Sequence, residues 1–321
     1  MRELRKIEPK QPFLNRMKVL LGPEYDKFLK SLEEKPLNSI RVNELKISPE
    51  ELKKRLEQKG WKIKQPFAEH KEIMIIESEL QPGEIGRTLE HLLGYYYVQE
   101  ISSMLPVIAL APKPNERVLD LCASPGSKTT QMASLMENTG LLIANEVSFG
   151  RMKILSSNLE RCGVGNAVVT RKDGAVLCEK LSNEGFLFDK ILVDAPCSGE
   201  GTIRSNPKTA GMWNEGGIKK MSFIQKRLLA SAFSVLKTGG ELVYSTCTFA
   251  PEEDEEVIDS ILKEFEGEIE IESINLPVKC RRGIAKWGEK EYDSEIKKAC
   301  RIYPFEDNTE GFFIAKFRRI K

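Results

Sequence analysis

Histidine is scarce in this sequence: His70 and His91 are the only two in 321 residues, and both fall in its first third. None of the seven cysteines is spaced C-x2-C or C-x4-C. That removes the usual basis for a zinc site, so no metal is expected, and it disfavours a thiol-disulfide enzyme. No run approaches the roughly 18 apolar residues of a membrane helix, so no membrane partner is expected. The opening Met1-Arg-Glu-Leu-Arg-Lys-Ile7 carries charge where a signal peptide needs its apolar segment, and a cytoplasmic location is expected. An odd number of cysteines without such a signal predicts free thiols, with Cys162, Cys178, Cys280 and Cys300 as ordinary packing or surface residues. The charges nearly cancel, 49 basic against 48 acidic. This balance neither supports nor opposes nucleic acid, because a local basic face can bind phosphate while acids elsewhere offset it.

An apolar content of 40% supports a real core, and the length exceeds that of the usual single domain. Residues 1–98 are expected to form a small α/β companion, an RNA-binding accessory or an inert lid. Its helices are expected at Phe13 to Leu21, Glu24 to Leu32 and Pro49 to Lys59, and its strands at Ser39 to Asn43, Trp61 to Lys64 and Glu72 to Ile76. Gly94 to Pro106 joins the two parts, and Tyr95, Tyr96 and Tyr97 in it either stack on bases or pack the seam. Residues 99–321 then alternate strand and helix, with Ile269 to Ile274 and Gly311 to Phe317 as late strands. That order predicts an α/β fold whose sheet is mainly parallel with an antiparallel edge.

In such a sheet the loops at the carboxyl ends of the strands build the site. Arg117 to Leu121 is a buried-strand pattern, followed by Cys122-Ala-Ser-Pro-Gly-Ser-Lys128 and a helix. This geometry presents backbone N–H groups to a cofactor. The loop holds a single glycine, and Ser127 separates Gly126 from Lys128, so neither the dinucleotide fingerprint nor the P-loop is present. Glu146 ends the next strand, 20 positions after Gly126, where an acid can bind both hydroxyls of a ribose. Asp173, past the third strand, either bonds an adenine amino group or serves a turn.

Lys190 to Val193 leads into Asp194-Ala-Pro-Cys-Ser-Gly-Glu-Gly201, and Gly240 to Thr246 leads into Cys247. If the two strands are neighbours, Cys197 and Cys247 meet across one crevice. Hydride transfer needs no thiol, whereas methyl transfer to a weakly nucleophilic carbon needs covalent activation. The acidic run Pro251 to Glu256 sits where a helix begins and is expected to act only on the helix dipole. Arg204, Lys208, Arg281 and Arg282 are candidates for phosphate contacts.

Asp194 to Cys197, Ser245 to Cys247 and Pro125 to Lys128 together resemble the Sun-type family of RNA cytosine methyltransferases. Arg41-Val-Asn43, Gln99 to Pro106 and Gly311 to Phe313 extend the resemblance from about residue 39 to the end of the sequence. The resemblance implies a Rossmann-like methyltransferase fold and formation of 5-methylcytosine with S-adenosylmethionine. It implies that Cys247 attacks carbon 6 of cytosine, that Asp194 bonds the ring nitrogen, and that Cys197 assists loss of the carbon-5 proton and release. Lys128 is a candidate for drawing Cys247 towards thiolate. The cofactor is expected to meet Cys122, Ala123, Ser124, Pro125, Gly126, Ser127, Lys128, Glu146, Arg151, Asp173 and Asp194. Ser127 stands where a second glycine is common, and Glu146 where Asp is common. The expected partner is RNA, transfer RNA ahead of ribosomal RNA, bound by a monomer, and a helper protein is not readable from the sequence. The competing class is a non-catalytic RNA-binding protein of the same fold.

Overall fold

The computed structural model describes residues 9–321, so the charged opening stretch lies outside the described residues. Two helices come first, α1 (Gln11–Leu21) and α2 (Tyr25–Glu33). They are followed by β1 (Asn38–Val42), α3 (Pro49–Gln58), β2 (Ile63–Lys64), β3 (Ile73–Ile76), α4 (Leu89–Leu92) and β4 (Tyr96–Val98). α3 begins as its sequence predicts: the Ser48 hydroxyl accepts the Glu51 N–H at 3.2 Å and Pro49 opens the helix. The four strands form one antiparallel sheet in the order β2-β3-β1-β4.

α1 and α2 do not join that sheet. Phe13, Met17, Leu21 and Phe28 pack against Trp213, Ile218, Phe249 and Tyr303, all from the other half of the chain. The small sheet and the first two helices thus lean on different parts of the larger unit.

The larger unit begins with α5 (Ile101–Leu110), where the sequence predicts a segment joining the two parts. Pro106 argues against a helix there. The Glu100 carboxylate nevertheless caps the helix, accepting the Ser102 N–H at 2.7 Å, and nearly all of the helix is buried. Next come β5 (Arg117–Asp120), α6 (Ser127–Leu135), β6 (Leu141–Asn145), α7 (Phe149–Cys162), β7 (Ala167–Thr170), α8 (Gly174–Asn183) and β8 (Phe188–Asp194). The short α9 (Lys208–Met212), α10 (Glu215–Phe233), β9 (Leu236–Thr246), α11 (Glu255–Glu264) and β10 (Ile269–Glu272) follow. The chain closes with β11 (Arg281–Arg282), the hairpin of β12 (Lys286–Trp287) and β13 (Lys290–Glu291), β14 (Cys300–Ile302), α12 (Pro304–Asp307) and β15 (Phe312–Arg319).

Strands β7, β6, β5, β8 and β9 are parallel in that spatial order. β15 then pairs antiparallel with β9, and β14, β11 and β10 continue the antiparallel side. This is the Rossmann-like arrangement expected, a parallel sheet with an antiparallel edge. Ile191, Leu192 and Val193 are fully buried because helices cover both faces of the parallel part. The chain runs outward from β5 to β7, then returns to β8 on the other side of β5. Strand order therefore reverses between β5 and β8, and a crevice opens at their carboxyl ends.

Two cysteines expected to be free are bonded: Cys280 and Cys300 form a disulfide, with Cα atoms 5.2 Å apart. The reason is register. β11 and β14 pair antiparallel with Arg282 opposite Cys300, which brings residues 20 apart in sequence alongside one another. The other five cysteines are free.

Candidate active site

At the carboxyl ends of the parallel strands lies a cleft of about 330 Å³. Its walls include Cys122 and Ser124 after β5, Glu146 after β6, Asp173 after β7, Asp194 and Cys197 after β8, and Cys247 after β9. Five consecutive strand ends contribute, as the topology requires.

Cys197 and Cys247 face one another, with their sulfurs 3.2 Å apart. Backbone pairing explains this: Asp194 lies opposite Ser245 in the β8-β9 ladder, so the loops that follow leave the sheet side by side. The loops are then stitched together. The Gly201 N–H donates to the Cys247 carbonyl at 2.9 Å, and the Ser198 and Thr248 hydroxyls are 2.7 Å apart. The hydrogen bond to Cys247, followed by burial, raises the Cys197 thiol well above its ordinary range. The two sulfurs are thus in hydrogen-bond contact, and either can be the donor.

Asp194 is oriented through both oxygens. Its Oδ1 accepts from the Ser245 hydroxyl at 2.7 Å, and its Oδ2 pairs with Lys128 Nζ at 2.7 Å. Lys128 also donates to the Ser103 hydroxyl at 3.0 Å and sits 5.3 Å from the centre of the Phe312 ring. Its ammonium is thus engaged by Asp194 and Ser103, not by the Cys247 sulfur as the sequence suggested. The reason is that Lys128, on the buried face of α6, meets the end of β8 before it reaches β9.

The loop after β5 touches the cleft at fewer points than expected. Leu121, Cys122 and Ser124 line it, while Ala123, Pro125, Gly126, Ser127 and Lys128 do not. Ala123 N–H donates to the Asn145 carbonyl at 2.8 Å, and the Pro125 carbonyl accepts from Asn158 at 2.9 Å. Gly126 takes φ 105° at the N-cap of α6, a conformation glycine adopts at little cost. These residues shape the loop instead of lining the cleft. Burial, with the charges of Asp120, Asp194 and Glu146, pushes the Cys122 thiol well up, so this sulfur is inert.

Glu146 is buried, and its Oε1 accepts the Ser148 N–H at 2.7 Å. Arg151 approaches Glu146 Oε2 at 3.5 Å and holds the Ser124 carbonyl at 2.7 Å, which ties the first two strand ends together. Asp173 both serves local structure and borders the cleft. It caps α8 by accepting the Ala175 N–H at 3.1 Å, pairs with Arg227 at 2.6 Å, and still lines the cleft. Arg227, Ile224 and Leu228 on α10 complete that wall, and sequence reading missed all three because nothing marks which face of the helix turns inward. The cleft therefore fits an adenosine-sized group: it is adequate in volume, partly apolar, and has the buried carboxylate of Glu146 in its wall.

The acidic run corrects an expectation. Glu253, Asp254 and Glu255 are completely buried, and Asp254 makes no side-chain cap to α11. Glu253 accepts the Ser198 N–H, Asp254 accepts the Thr246 hydroxyl at 2.6 Å, and Glu255 accepts Arg301 Nε at 2.6 Å. Glu255 and Glu256 do lie in the first turn of α11, but Glu253 and Asp254 brace the two cysteine loops, so the run acts on more than the helix dipole.

Two of the four proposed phosphate contacts are also corrected. Arg204 donates to the Asn308 and Thr309 carbonyls, and Arg281 pairs with Glu24 and Glu306. Lys208 and Arg282 remain exposed. Tyr97 packs the seam, its hydroxyl 3.3 Å from the Pro125 carbonyl, whereas Tyr96 is buried in the core of the small unit and donates to the Ile85 carbonyl at 2.6 Å. Arg41 crosses the same seam and donates to the Ser127 carbonyl at 2.6 Å and the Thr130 hydroxyl at 2.8 Å. A larger groove of about 1050 Å³ lies between the small sheet and residues 307–309. Its Lys35 and Lys64 are offset by Glu77, Glu79 and Asp307, and none of the cleft's acids or cysteines lines it.

A family model described as 16S rRNA methyltransferase RsmB/F matches residues 107–318, and one described as the N-terminal domain of 16S rRNA methyltransferase RsmF matches residues 10–101. The chain is 43% identical over 286 residues to the tRNA (cytosine(49)-C(5))-methyltransferase of Pyrococcus abyssi, covering 89% of each chain. It is 38% identical over 314 residues to the ribosomal RNA small subunit methyltransferase F of Vibrio campbellii. That match takes in 97% of this chain and spans 63% of the length of the Vibrio protein. Among solved structures, a methyltransferase homolog protein from Pyrococcus horikoshii superimposes with a TM-score of 0.84 at 37% identity, over 98% of this chain and 96% of the other. NSun6 from Pyrococcus horikoshii with SFG superimposes with a TM-score of 0.80 at 26% identity, over 97% of this chain and 98% of the other.

Proposed function

The chain belongs to the RsmB/F methyltransferase family, and from that premise we propose that it methylates carbon 5 of a cytosine in transfer RNA through a covalent cysteine adduct. The observation that carries this reading is the 3.2 Å approach of Cys197 to Cys247 beside an adenosine-sized cleft. A single thiol would serve many reactions. Two thiols and an oriented carboxylate at one point suit addition to a pyrimidine and its reversal.

S-adenosylmethionine, when bound, supplies an electrophilic methyl group. Glu146 is suited to its ribose, and Cys122, Ser124, Arg151 and Asp173 to the rest of the group. The Cys247 thiolate adds to carbon 6 and makes carbon 5 nucleophilic. Asp194, held by Lys128 and Ser245, bonds the ring nitrogen and keeps the base in the plane required for attack. After methylation, Cys197 takes the carbon-5 proton, the ring double bond re-forms, and Cys247 leaves. A paired base cannot present carbon 6 to a thiol, so the nucleotide is bound unpaired or flipped.

Transfer RNA is favoured over ribosomal RNA because the relative matched across 89% of both chains bears a transfer-RNA activity in its name. Cytosine 49, the position in that name, is the first to inspect. Residues 99–321 act as the methyltransferase unit and residues 1–98 as the RNA-binding accessory, in a cytoplasmic monomer. The test is incubation with methyl-labelled S-adenosylmethionine and either transfer-RNA or ribosomal-RNA transcripts, with bisulfite mapping of the product. Label only in ribosomal RNA would overturn the substrate, and label in neither would overturn the activity.

A further inference from the structure

Glu253 has no part in the reaction as described, yet it is wholly buried directly behind the loop that carries Cys197. Its Oε2 accepts the Ser198 N–H at 2.9 Å and Gln225 Nε2 at 2.9 Å. The same Gln225 nitrogen donates to the Pro196 carbonyl at 2.9 Å. The residues immediately before and after Cys197 are therefore both fastened to one carboxylate and one amide, drawn from two other elements. Each clamp residue also keeps a buried oxygen with no partner among the described residues, Glu253 Oε1 and Gln225 Oε1. An unpartnered buried carboxylate oxygen is costly, and a hydrophobic contact would hold the loop without that cost.

We propose that Glu253 is a positioning residue for Cys197, clamping its loop through Ser198 and Gln225 and setting a buried carboxylate behind the thiol so that release of the methylated base depends on it. This deepens the cytosine methyltransferase reading and rests on it. In release, the carbon-5 proton passes to the Cys197 thiolate and the C–H electron pair forms the C5=C6 double bond. The C6–S pair leaves with Cys247, and the proton that Cys197 carried beforehand goes to solvent. Oxidation states do not change. The charge of Glu253 makes Cys197 harder to deprotonate and, once deprotonated, a stronger base.

The groups facing this pair come from several elements. Cys247 and Tyr244 reach Cys197 from β9, and Glu253 reaches it from the turn before α11. Glu253 itself meets Glu200 from the loop after β8, Asp254 beside it, and Tyr244, whose hydroxyl donates to the Glu253 carbonyl at 2.6 Å. Burial lifts the Glu253 carboxyl to about 7 against the two hydrogen bonds to Ser198 and Gln225, so its charge changes within the working range.

The experiment measures the rate at which the covalent protein–RNA adduct resolves, on denaturing gels from pH 5.5 to 9.5, with labelled S-adenosylmethionine and unmodified transfer-RNA transcripts. Glu253→Gln keeps an acceptor for Ser198 but removes the charge. The pH midpoint of release is expected to fall by about one unit, the size of a single near-neighbour charge effect. Glu253→Asp keeps the charge on a shorter arm, so the midpoint stays with the wild type while release slows at least about tenfold. Gln225→Leu, which unfastens Pro196 and leaves the Glu253 carboxyl in place with one hydrogen bond fewer, is expected to slow release by a similar factor and serves if Glu253→Gln does not fold. A uniform loss of rate in Glu253→Gln with an unmoved midpoint, or wild-type release in Gln225→Leu, overturns the proposal. A wild-type protein that forms neither adduct nor 5-methylcytosine on transfer or ribosomal RNA overturns the functional reading beneath it instead.

Discussion

Cys197 Sγ lies 3.2 Å from Cys247 Sγ, although 50 residues of chain separate them. Contact with Cys247 and burial hold the Cys197 thiol well above its ordinary range, and under the proposed mechanism the two sulfurs act at different steps. Cys247→Ala is expected to give no methylated product and no adduct. Cys197→Ala is expected to form the adduct and resolve it at least about a hundredfold more slowly, within the usual range for losing a proton-transfer group. Denaturing gels with labelled donor check both. Equal turnover by the two variants and the wild type would sink the division of labour.

Lys128 meets Asp194 and not a thiol, which gives a prediction opposite to the one its sequence position invites. Lys128→Met leaves Asp194 half-buried with one oxygen unpaired, so the base is bound less well and held less squarely. Turnover is expected to fall by about a hundredfold. The alkylation rate of Cys247 against pH is expected to match the wild type. A rise in the Cys247 midpoint would show that the lysine acts on the thiol after all.

Three buried acids set an unusual pH trend in stability. Burial lifts Asp120, Glu253 and Glu310 each to about 7, and in Glu310 the charge of Glu100 adds to it. An acid whose folded pKa lies above its unfolded value binds more protons when folded between those two values. Its contribution to stability is full below about pH 4 and is lost as pH rises to about 7. Burial would raise Glu241 too, but Lys190 and Lys316 outweigh it, so such groups lose stability only in stronger acid. The Tm at pH 5 is therefore expected to exceed that at pH 8. Asp120→Asn, which keeps an acceptor for the Thr129 hydroxyl 2.7 Å away, should narrow the difference. A Tm that climbs steadily from pH 5 to pH 8 would contradict the trend.

The basic residues divide by what already neutralises them. Arg281 holds Glu24 and Glu306, and Arg204 holds backbone carbonyls, whereas Lys208 and Arg282 are exposed. Arg281→Ala is expected to lower stability by about 1 kcal/mol and leave the salt dependence of RNA affinity unchanged. Replacing Lys208 and Arg282 together by Ala should reduce the slope of log affinity against log salt by roughly one to two. Filter binding at several salt concentrations separates the two classes.

Much of this site is legible because the sheet's own periodicity announces it. Apolar runs ending in Asp194 and Thr246 identify two buried parallel strands, and their carboxyl ends must carry the loops that matter. The buried role of the acidic run is hidden for an equally physical reason. Glu252 to Glu256 at a helix start is what a solvated first turn looks like, and its buried partners come from elsewhere in the chain. Ser198 and Arg301 lie 55 and 46 residues from the acids they bond. No local pattern reports such pairings. Arg41 shows the same limit, since a lone arginine in a strand does not reveal that Ser127 and Thr130 will accept from it across a domain seam.

The approach of Gly201 to Gly311 gives the last prediction. Gly201 accepts the Gly311 N–H at 3.0 Å through its carbonyl while donating its own N–H to the Cys247 carbonyl, so one glycine joins the start of β15 to the nucleophile's loop. A Cβ at Gly201 would come within 2.2 Å of the Gly311 carbonyl oxygen, and one at Gly311 within 2.2 Å of the Phe249 ring. Backbone cannot yield as a flexible side chain does, so Gly201→Ala must push β15 away from the Cys247 loop or turn that loop aside. Either displacement separates two sulfurs that must share one carbon pair. Turnover is expected to drop by about a hundredfold or more, in line with the cost of an ångström-scale misplacement. Binding of S-adenosylmethionine, on the far side of the sheet's switch point, should change by less than about threefold. Isothermal titration alongside the turnover assay decides it: full activity in Gly201→Ala would mean that the two loops do not need this contact to hold the thiols together.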